Sequence, residues 1–183
     1  METPKVYVDS TAIVHPSAEI GDGSAIWNWS KVRERVRIGK KCNIGQSVYI
    51  DFEVRIGDRC KIQNGVSVYH GVTIGDDVFV GPNATFTNDL RPRAHSTDWQ
   101  VTPTVVEDGA SIGANATVVC GVTLGRHCMI AAGAVVTADV PAHALVMGCP
   151  ARMVDYVAVS GARLHVDPAD GLPEPAVLLD GRS

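Results

Sequence analysis

Aromatic residues make up only 5% of this 183-residue chain, so its core has to be filled by Val, Ile and Ala. Long apolar runs are also missing. The longest clean one, Met129 to Val136, is far too short to span a bilayer. There is no surplus of positive charge: 16 Lys+Arg against 20 Asp+Glu leave a net charge of −4. That argues against a general nucleic-acid surface or an anionic-membrane surface. No basic segment leading into an apolar one opens METPKVYVDS, so no signal peptide is expected. The five cysteines form no CxxC pair, which fits a reduced, cytoplasmic protein rather than a disulfide framework. What the chain does have is 18 glycines, 10 prolines and a hydrophobic content of 45%, enough for a packed core.

The hydrophobic residues follow a period of six. From Val14 an aliphatic side chain recurs at Ile20, Ile26, Val32, Ile38, Ile44, Ile50, Ile56, Ile62, Val68, Ile74 and Val80, and Phe86 closes the run. Four residues after each stands a small or β-branched one, such as Ala18, Ser24, Cys42, Cys60 and Val78. After a break the phase returns at Val106, Ile112, Val118, Leu124, Ile130 and Val136. Neither an amphipathic helix nor an alternating strand has this period. A solenoid does, with one short strand and one turn per hexad. Glycine follows the aliphatic residue at Gly21, Gly39, Gly45, Gly57, Gly75, Gly81, Gly113 and Gly125, which suggests turns that need glycine's backbone freedom.

A period of eighteen lies over the first, so three hexads make one coil of a triangular prism and roughly six coils stack. The hexads IGDGSA, IGKKCN, IGDRCK and IGDDVF are charged at their turns and should face water. The other two sets carry aromatics and amides outward, including Trp27, Trp29, Tyr49, Phe52 and Tyr69, and suit an interface. Cys42, Cys60 and Cys128 fall at the small inward position, Cys120 at an outward one, and Cys149 beyond the coils.

Between Phe86 and Val106 about fourteen extra residues interrupt the repeat. This polar loop is either functional or a disordered flap. Stacking by eighteen sets Asn28, Gln46 and Asn64 in one outward column, and Glu34, Phe52, His70 and Asn88 in another at the loop's mouth. His70 and Asn88 should therefore be neighbours, about one strand spacing (~4.8 Å) apart. An imidazole with an ordinary pKa near ~6.5 suits a general base, and the amide suits an orienting acceptor. After the loop the outward residues shrink to Ala114, Ala132, Gly133 and Ala138, leaving a groove for a thin ligand such as a pantetheine arm. Arg152, in GCPAR, could pair a phosphate. The segment GCPARMVDYVAVSGARL reads as a short terminal helix over the coil end, and the stretch from Val166 as a loose tail.

The repeat resembles that of the left-handed parallel β-helix acyltransferases. The run KIQNGVSVYHGVTIGDDVFVGPNATFTN, with IWNW, RPRA, GANATVVCGVTLG and GCPAR, is similar to bacterial N-acetyltransferases of nucleotide-linked amino sugars. The resemblance implies an all-β fold: a left-handed β-helix domain at 1–149, with a loop excursion at about 88–105, then a short C-terminal helix and tail at 150–183. It implies acetyl-CoA as co-substrate, no metal, and a homotrimer with active sites between subunits. It places Asn88 against the reacting amine and Gln63, Asn64 and Arg93 against the nucleotide sugar. The thioester would lie over the small residues Ala114, Ala132 and Gly133. The family does not require a histidine at His70, so that reading rests on the residues here.

The expected chemistry is attack of a neutral sugar amine on the thioester carbonyl. Three alternatives share the solenoid. One is an acyltransferase with another acceptor or acyl group. Another is a γ-carbonic-anhydrase-like zinc lyase, though His15, His70, His95, His127, His143 and His165 scatter in repeat phase. The third is a non-enzymatic trimeric β-helix.

Overall fold

A computed structural model of the chain describes residues 5–180. The expected domain limits at positions 1 and 183 therefore lie outside the described residues. Each hexad forms a two-residue strand and a corner, and the strands build three parallel faces. Starting with Tyr7–Val8, Ile13–Val14 and Glu19–Ile20, these are here named the first, second and third faces. They hold nine, seven and six strands, the first including a final antiparallel one. On the first face Tyr7 pairs with Ala25, Ala25 with Asn43, Asn43 with Lys61 and Lys61 with Phe79. The ladder thus begins before Val14 and extends beyond six coils.

The period of six is the core itself. Ile26, Ile44, Ile62, Val80, Ile112 and Ile130 stack along one inner edge, all essentially without exposure. Cys42, Cys60, Val78, Ala110 and Cys128 fill the small inward positions. The two polar members of such columns are bonded. Ser24 Oγ donates to the Gly39 carbonyl at 2.8 Å, and Ser30 Oγ to the Gly45 carbonyl at 2.6 Å. A buried hydroxyl would otherwise cost its full desolvation.

The insertion leaves the ladder intact. Val72 pairs with Thr104, Phe79 with Ser111 and Thr85 with Thr117. The cross-rung bond from the Asp76 N–H to Asp108 Oδ1 spans 32 residues, eighteen plus the fourteen inserted. One expectation fails here. Cys120 is buried, because the returning strand of the loop covers it: the Cys120 N–H donates to Thr87 Oγ1 and the Gly121 N–H to the Pro103 carbonyl.

The glycines after the aliphatic positions serve a different purpose from the one expected. None of the eight has a positive φ. A Cβ on Gly39 would lie 2.6 Å from the Gly57 backbone, and one on Gly113 would strike the Ala132 nitrogen. These glycines permit close stacking of successive rungs. The left-handed positions come two residues later and are mostly not glycine: Trp29, Lys41, Ser47, Glu53, Arg59, Asp77 and Asn83 have φ of 56–61°. The conformation costs each about 1 kcal/mol. Cross-rung bonds offset it: the N–H groups of Lys41, Ser47, Glu53, Arg59, Asp77 and Asn83 donate to carbonyls of the preceding coil at 2.7–3.0 Å.

The far end also differs from expectation. The segment read as a terminal helix is a β-hairpin: Ala144–Gly148 adds in parallel to the first face and Ala151–Tyr156 returns antiparallel. Val154, Val157 and Val159 favour strand over helix. The last rung also presents an open edge that a strand can satisfy and a helix cannot. Ala151 and Met153 pack on the core. The stretch read as a loose tail holds a 3-10 turn, Pro168–Asp170, and the helix Pro175–Asp180. Leu178 packs with Tyr156, Ala158 and Leu164. Buried Asp155 accepts from the N–H groups of Tyr156 and Val166 and from Arg163 Nε. Burial alone would raise its pKa. Those bonds outweigh burial and hold its carboxyl below the usual range.

The last coil is shorter by two, with Met129 opposite Leu145 and the Thr123–Asp139 bond spanning 16 residues. This brings His127 beside His143, ring centroids 5.1 Å apart, next to a hollow lined by Val159, Leu178 and Leu179. Burial, then the neighbouring His143 and Arg126, holds His127 below its ordinary value against the opposing pull of Asp108 and Asp77.

Two outcomes follow. Gly113→Ala should destabilise by about 1–3 kcal/mol through overpacking. Gly133→Ala meets nothing within 4 Å and should cost only the strain of its φ of 70°. Thermal melts of the two variants should separate them by several degrees. The depressed imidazole makes the folded state prefer neutral His127. That contribution is complete above the ordinary value near ~6.5 and is lost as pH falls below it. Melts at pH 7.5 and 5 should show the loss, and His127→Asn, which suits the left-handed φ of 54°, should reduce it.

Candidate active site

The corner between the second and third faces carries the most chemistry. Asp51 is its buried hub: Oδ1 accepts from Arg33 Nη1 at 3.0 Å, Tyr49 Oη at 2.9 Å and the Phe52 N–H at 2.9 Å. Its Oδ2 accepts from the His70 N–H at 3.3 Å. This hub fixes the Phe52 and His70 rungs. The two rings stack with centroids 4.0 Å apart and planes 13° apart.

His70 Nδ1 lies 2.9 Å from the Phe52 carbonyl oxygen. A carbonyl can only accept, so Nδ1 carries the hydrogen and Nε2 keeps its lone pair in the neutral ring. Glu53 Oε2 is 3.8 Å from Nδ1. Asn88 Nδ2 donates to the His70 carbonyl at 3.3 Å. That bond assigns the amide's orientation and leaves Oδ1 as an acceptor. The Asn88 carbonyl in turn accepts from the Thr102 N–H at 3.0 Å, tying the loop's return to its start. The corner thus offers a ring nitrogen and an amide oxygen, both acceptors, to a ligand bearing N–H groups.

Two hollows flank this corner. One, of about 530 Å³, runs down the third face from His70 and Gly71 past Thr73 to Arg55, Arg37 and Arg35. The other, of about 390 Å³, lies within the loop between Asp89, Arg91, Asp98 and Trp99. In the loop the Ser96 hydroxyl and the backbone hold Asp98 below the usual carboxylate range.

The other expected site residues lie elsewhere. Gln63, Asn64, Ala114, Ala132 and Gly133 occupy the corner between the first and second faces. Asn64 Oδ1 already accepts from the Gln46 N–H at 2.9 Å, so its oxygen braces the coil below. The Ala114 carbonyl accepts from the Gly133 N–H at 2.8 Å, and Ala132 and Gly133 are exposed. Arg93 is exposed in the loop, donating to the Pro92 carbonyl. Arg152 is exposed on the terminal hairpin. The structure therefore joins His70 to Asn88, and Ala114 to Gly133, but not the two pairs to each other. Ala114 is two hexads beyond Asn88 once the insertion is removed, so second-face strands such as Thr117–Val118 separate them. The expected slot beside the imidazole is not formed within one chain.

Sequence reading passed over the Asp51 hub, the third-face arginines and the His127–His143 pair. The arginine pair could have been read from its spacing of eighteen. The histidine pair could not, because the last coil departs from that spacing. Among the described residues no three of His, Cys, Asp and Glu gather as a metal-ligand group.

Residues 53–88 match the family described as bacterial transferase hexapeptide (six repeats). Residues 35–70 and 103–138 match the hexapeptide repeat of succinyl-transferase. Curated relatives include 2,3,4,5-tetrahydropyridine-2,6-dicarboxylate N-acetyltransferase of Staphylococcus aureus, 41% identical over 78 residues, or 43% of this chain. The match spans only 30% of that relative's length. GDP-perosamine N-acetyltransferase from Caulobacter crescentus, solved with CoA and GDP-perosamine, is 25% identical with a TM-score of 0.55 over 82% of this chain and 57% of its own. The hexapeptide-repeat-containing acetyltransferase from Vibrio cholerae is 30% identical with a TM-score of 0.58, over 75% of this chain and 73% of its own. With the matched repeats and that likeness in fold, the chain belongs to the hexapeptide-repeat acetyltransferases.

Proposed function

We propose that the chain transfers acetyl from acetyl-CoA to the amino group of a nucleotide-linked amino sugar, working as a cytoplasmic homotrimer. The observation that carries this reading is the His70–Asn88 pair, which leaves two acceptors at the mouth of the loop. The Caulobacter relative, solved with CoA and a nucleotide-linked amino sugar, supports the substrate class.

The amine must reach the thioester carbonyl neutral. Asn88 Oδ1 accepts one amine N–H and aims the nitrogen's lone pair. His70 Nε2 takes the amine's proton as the new C–N bond forms, and Glu53 stabilises the resulting imidazolium. The carbonyl oxygen, briefly anionic, is held by backbone N–H groups. As the C–S bond breaks, the departing thiolate recovers the proton from His70, so acid, base and charge balance over the cycle. Arg93 contacts the nucleotide sugar, Gln63 and Asn64 reach it from the neighbouring subunit as part of the same corner as the small-residue wall, and Arg152 pairs a CoA phosphate.

The trimer supplies what one chain lacks. The small residues Ala114, Ala132 and Gly133 of one subunit form the wall for the acyl donor opposite the His70 corner of its neighbour. Exposed Trp27, Trp29 and Tyr69 supply apolar area for the contact.

A panel of UDP-, dTDP- and GDP-amino sugars with acetyl-CoA, followed by free-thiol release, tests the activity. Turnover on at least one is expected, and silence across the panel would overturn the nucleotide-sugar reading. His70→Ala should lower kcat by about 10²-fold or more with the KM for acetyl-CoA little changed. Near-normal turnover would remove the base from the mechanism and leave His70 only a positioning role.

A further inference from the structure

We propose that the third-face cleft below His70 seats the diphosphate of the acceptor, with Arg55 as its principal cation. This rests on the nucleotide-sugar reading above and adds to it a site for the phosphates.

Arg37 and Arg55 are direct partners on adjacent parallel strands, both pointing outward. At one strand spacing, ~4.8 Å, two like charges in register are unfavourable. Elsewhere the chain pairs its arginines across rungs. Arg59 holds Asp77 through Nε and Nη2, both at 2.7 Å, with Asp76 at 3.3 Å. On the third face Glu19 takes Arg37 at 3.4 Å and Glu53 takes Arg35 at 2.9 Å. Among the described residues Arg55 has no acidic group within ion-pair distance. Its neighbour on the far side is Thr73, a hydroxyl and not a carboxylate. The row Glu19, Arg37, Arg55, Thr73 thus puts its only acid at the end away from the free cation.

An anion resolves that row. The cleft of about 530 Å³ is lined by Arg35, Arg37, Arg55 and Thr73, with Glu53 and Glu19 held by Arg35 and Arg37, and it reaches His70. Guanidinium forks match phosphate oxygens in pairs. In a nucleotide sugar a single sugar ring separates the amine from the diphosphate. An amine at His70 with its phosphates at Arg55, one rung below Thr73 in the same cleft, fits that separation. The cleft lies on the early-coil side of His70, whereas the small-residue wall assigned to the acyl donor lies on later coils. The phosphates are accordingly the acceptor's and not those of CoA.

The test measures binding by calorimetry, with the full chain, of UDP, GDP, dTDP, inorganic pyrophosphate and CoA. Arg55→Gln should weaken the best nucleoside diphosphate by roughly tenfold to a hundredfold and leave CoA unchanged. Arg59→Gln, in the paired ladder outside the cleft, should alter neither. In turnover Arg55→Gln should raise the acceptor's KM with kcat little changed. Unaltered nucleoside diphosphate affinity in Arg55→Gln would overturn the site, as would a loss confined to CoA. If diphosphates bind through Arg55 but no amine is acetylated, the site stands and the transferase reading falls. If an amine without a phosphate is acetylated and no diphosphate binds, the site falls and acetyl transfer stands.

Discussion

Everything in this molecule depends on how closely one coil can sit on the next. Parallel rungs must approach to strand spacing for the backbone groups to pair. Glycine at the start of the corner is what permits it, since a Cβ on Gly57 or Gly75 would strike backbone or the Asp side chain of the following coil. The Asp side chain in that space is itself part of the ladder. Asp58 Oδ1 accepts from the Lys40 N–H, Asp76 Oδ1 from the Asp58 N–H and Asp108 Oδ1 from the Asp76 N–H, each at 2.7–2.9 Å. A missing Cβ on one rung makes room for a carboxylate from the next, which satisfies a corner donor. Close approach, corner shape and hydrogen bonding are one arrangement repeated along the axis.

That arrangement decides where chemistry can go. Inward positions are occupied by aliphatic packing, and the corner between the third and first faces is occupied by its Asp ladder. The corner between the second and third faces follows another plan. One carboxylate, Asp51, collects four donors, and the His70 and Asn88 side chains each spend only one polar atom on the coil below. Phe52, His70 and Asn88 are left to project, with the ring held by stacking and by the Phe52 carbonyl. The loop leaves the solenoid at this corner, after Thr87, and returns to bond Asn88, so the long insertion and the projecting residues share an origin.

Much of this was legible from residues alone. The period of six gave the core, the period of eighteen gave the register, and the fourteen extra residues gave the jump from Phe79 to Ser111. The His70–Asn88 contact followed from the register and is present. Features that depend on backbone shape were not legible. A glycine chosen for φ and one chosen for close approach look alike in a sequence, and only the backbone shape separates Gly39 from Gly65. Cys120 holds an outward phase, and it is buried because Thr102–Thr104 passes over it. The terminal strand reads as a helix in isolation because its alternation spans only Ala151–Tyr156, while the open edge that calls for a strand is created by Ala144–Gly148 joining the first face. The His127–His143 contact needed a coil two residues short, which no repeat rule supplies.

The separation of the two candidate half-sites then gains a physical meaning. Successive hexads turn the chain to the next corner, so residues two hexads apart can never share a corner within one prism. A base at one corner and a small-residue wall at another can meet only when a second prism is set against the face between them. On that face the outward residues run Lys31, Tyr49, Ser67, Thr85, Thr117 and Val135, so bulk and charge give way to small side chains as the coils ascend. A face graded in this way lets a neighbouring prism sit close over the later coils and stand off at the earlier ones. In the proposed trimer that gap opens where the His70 corner and the arginine-lined cleft begin, which gives a phosphorylated acceptor its entry and confines the thin acyl donor to the narrow end.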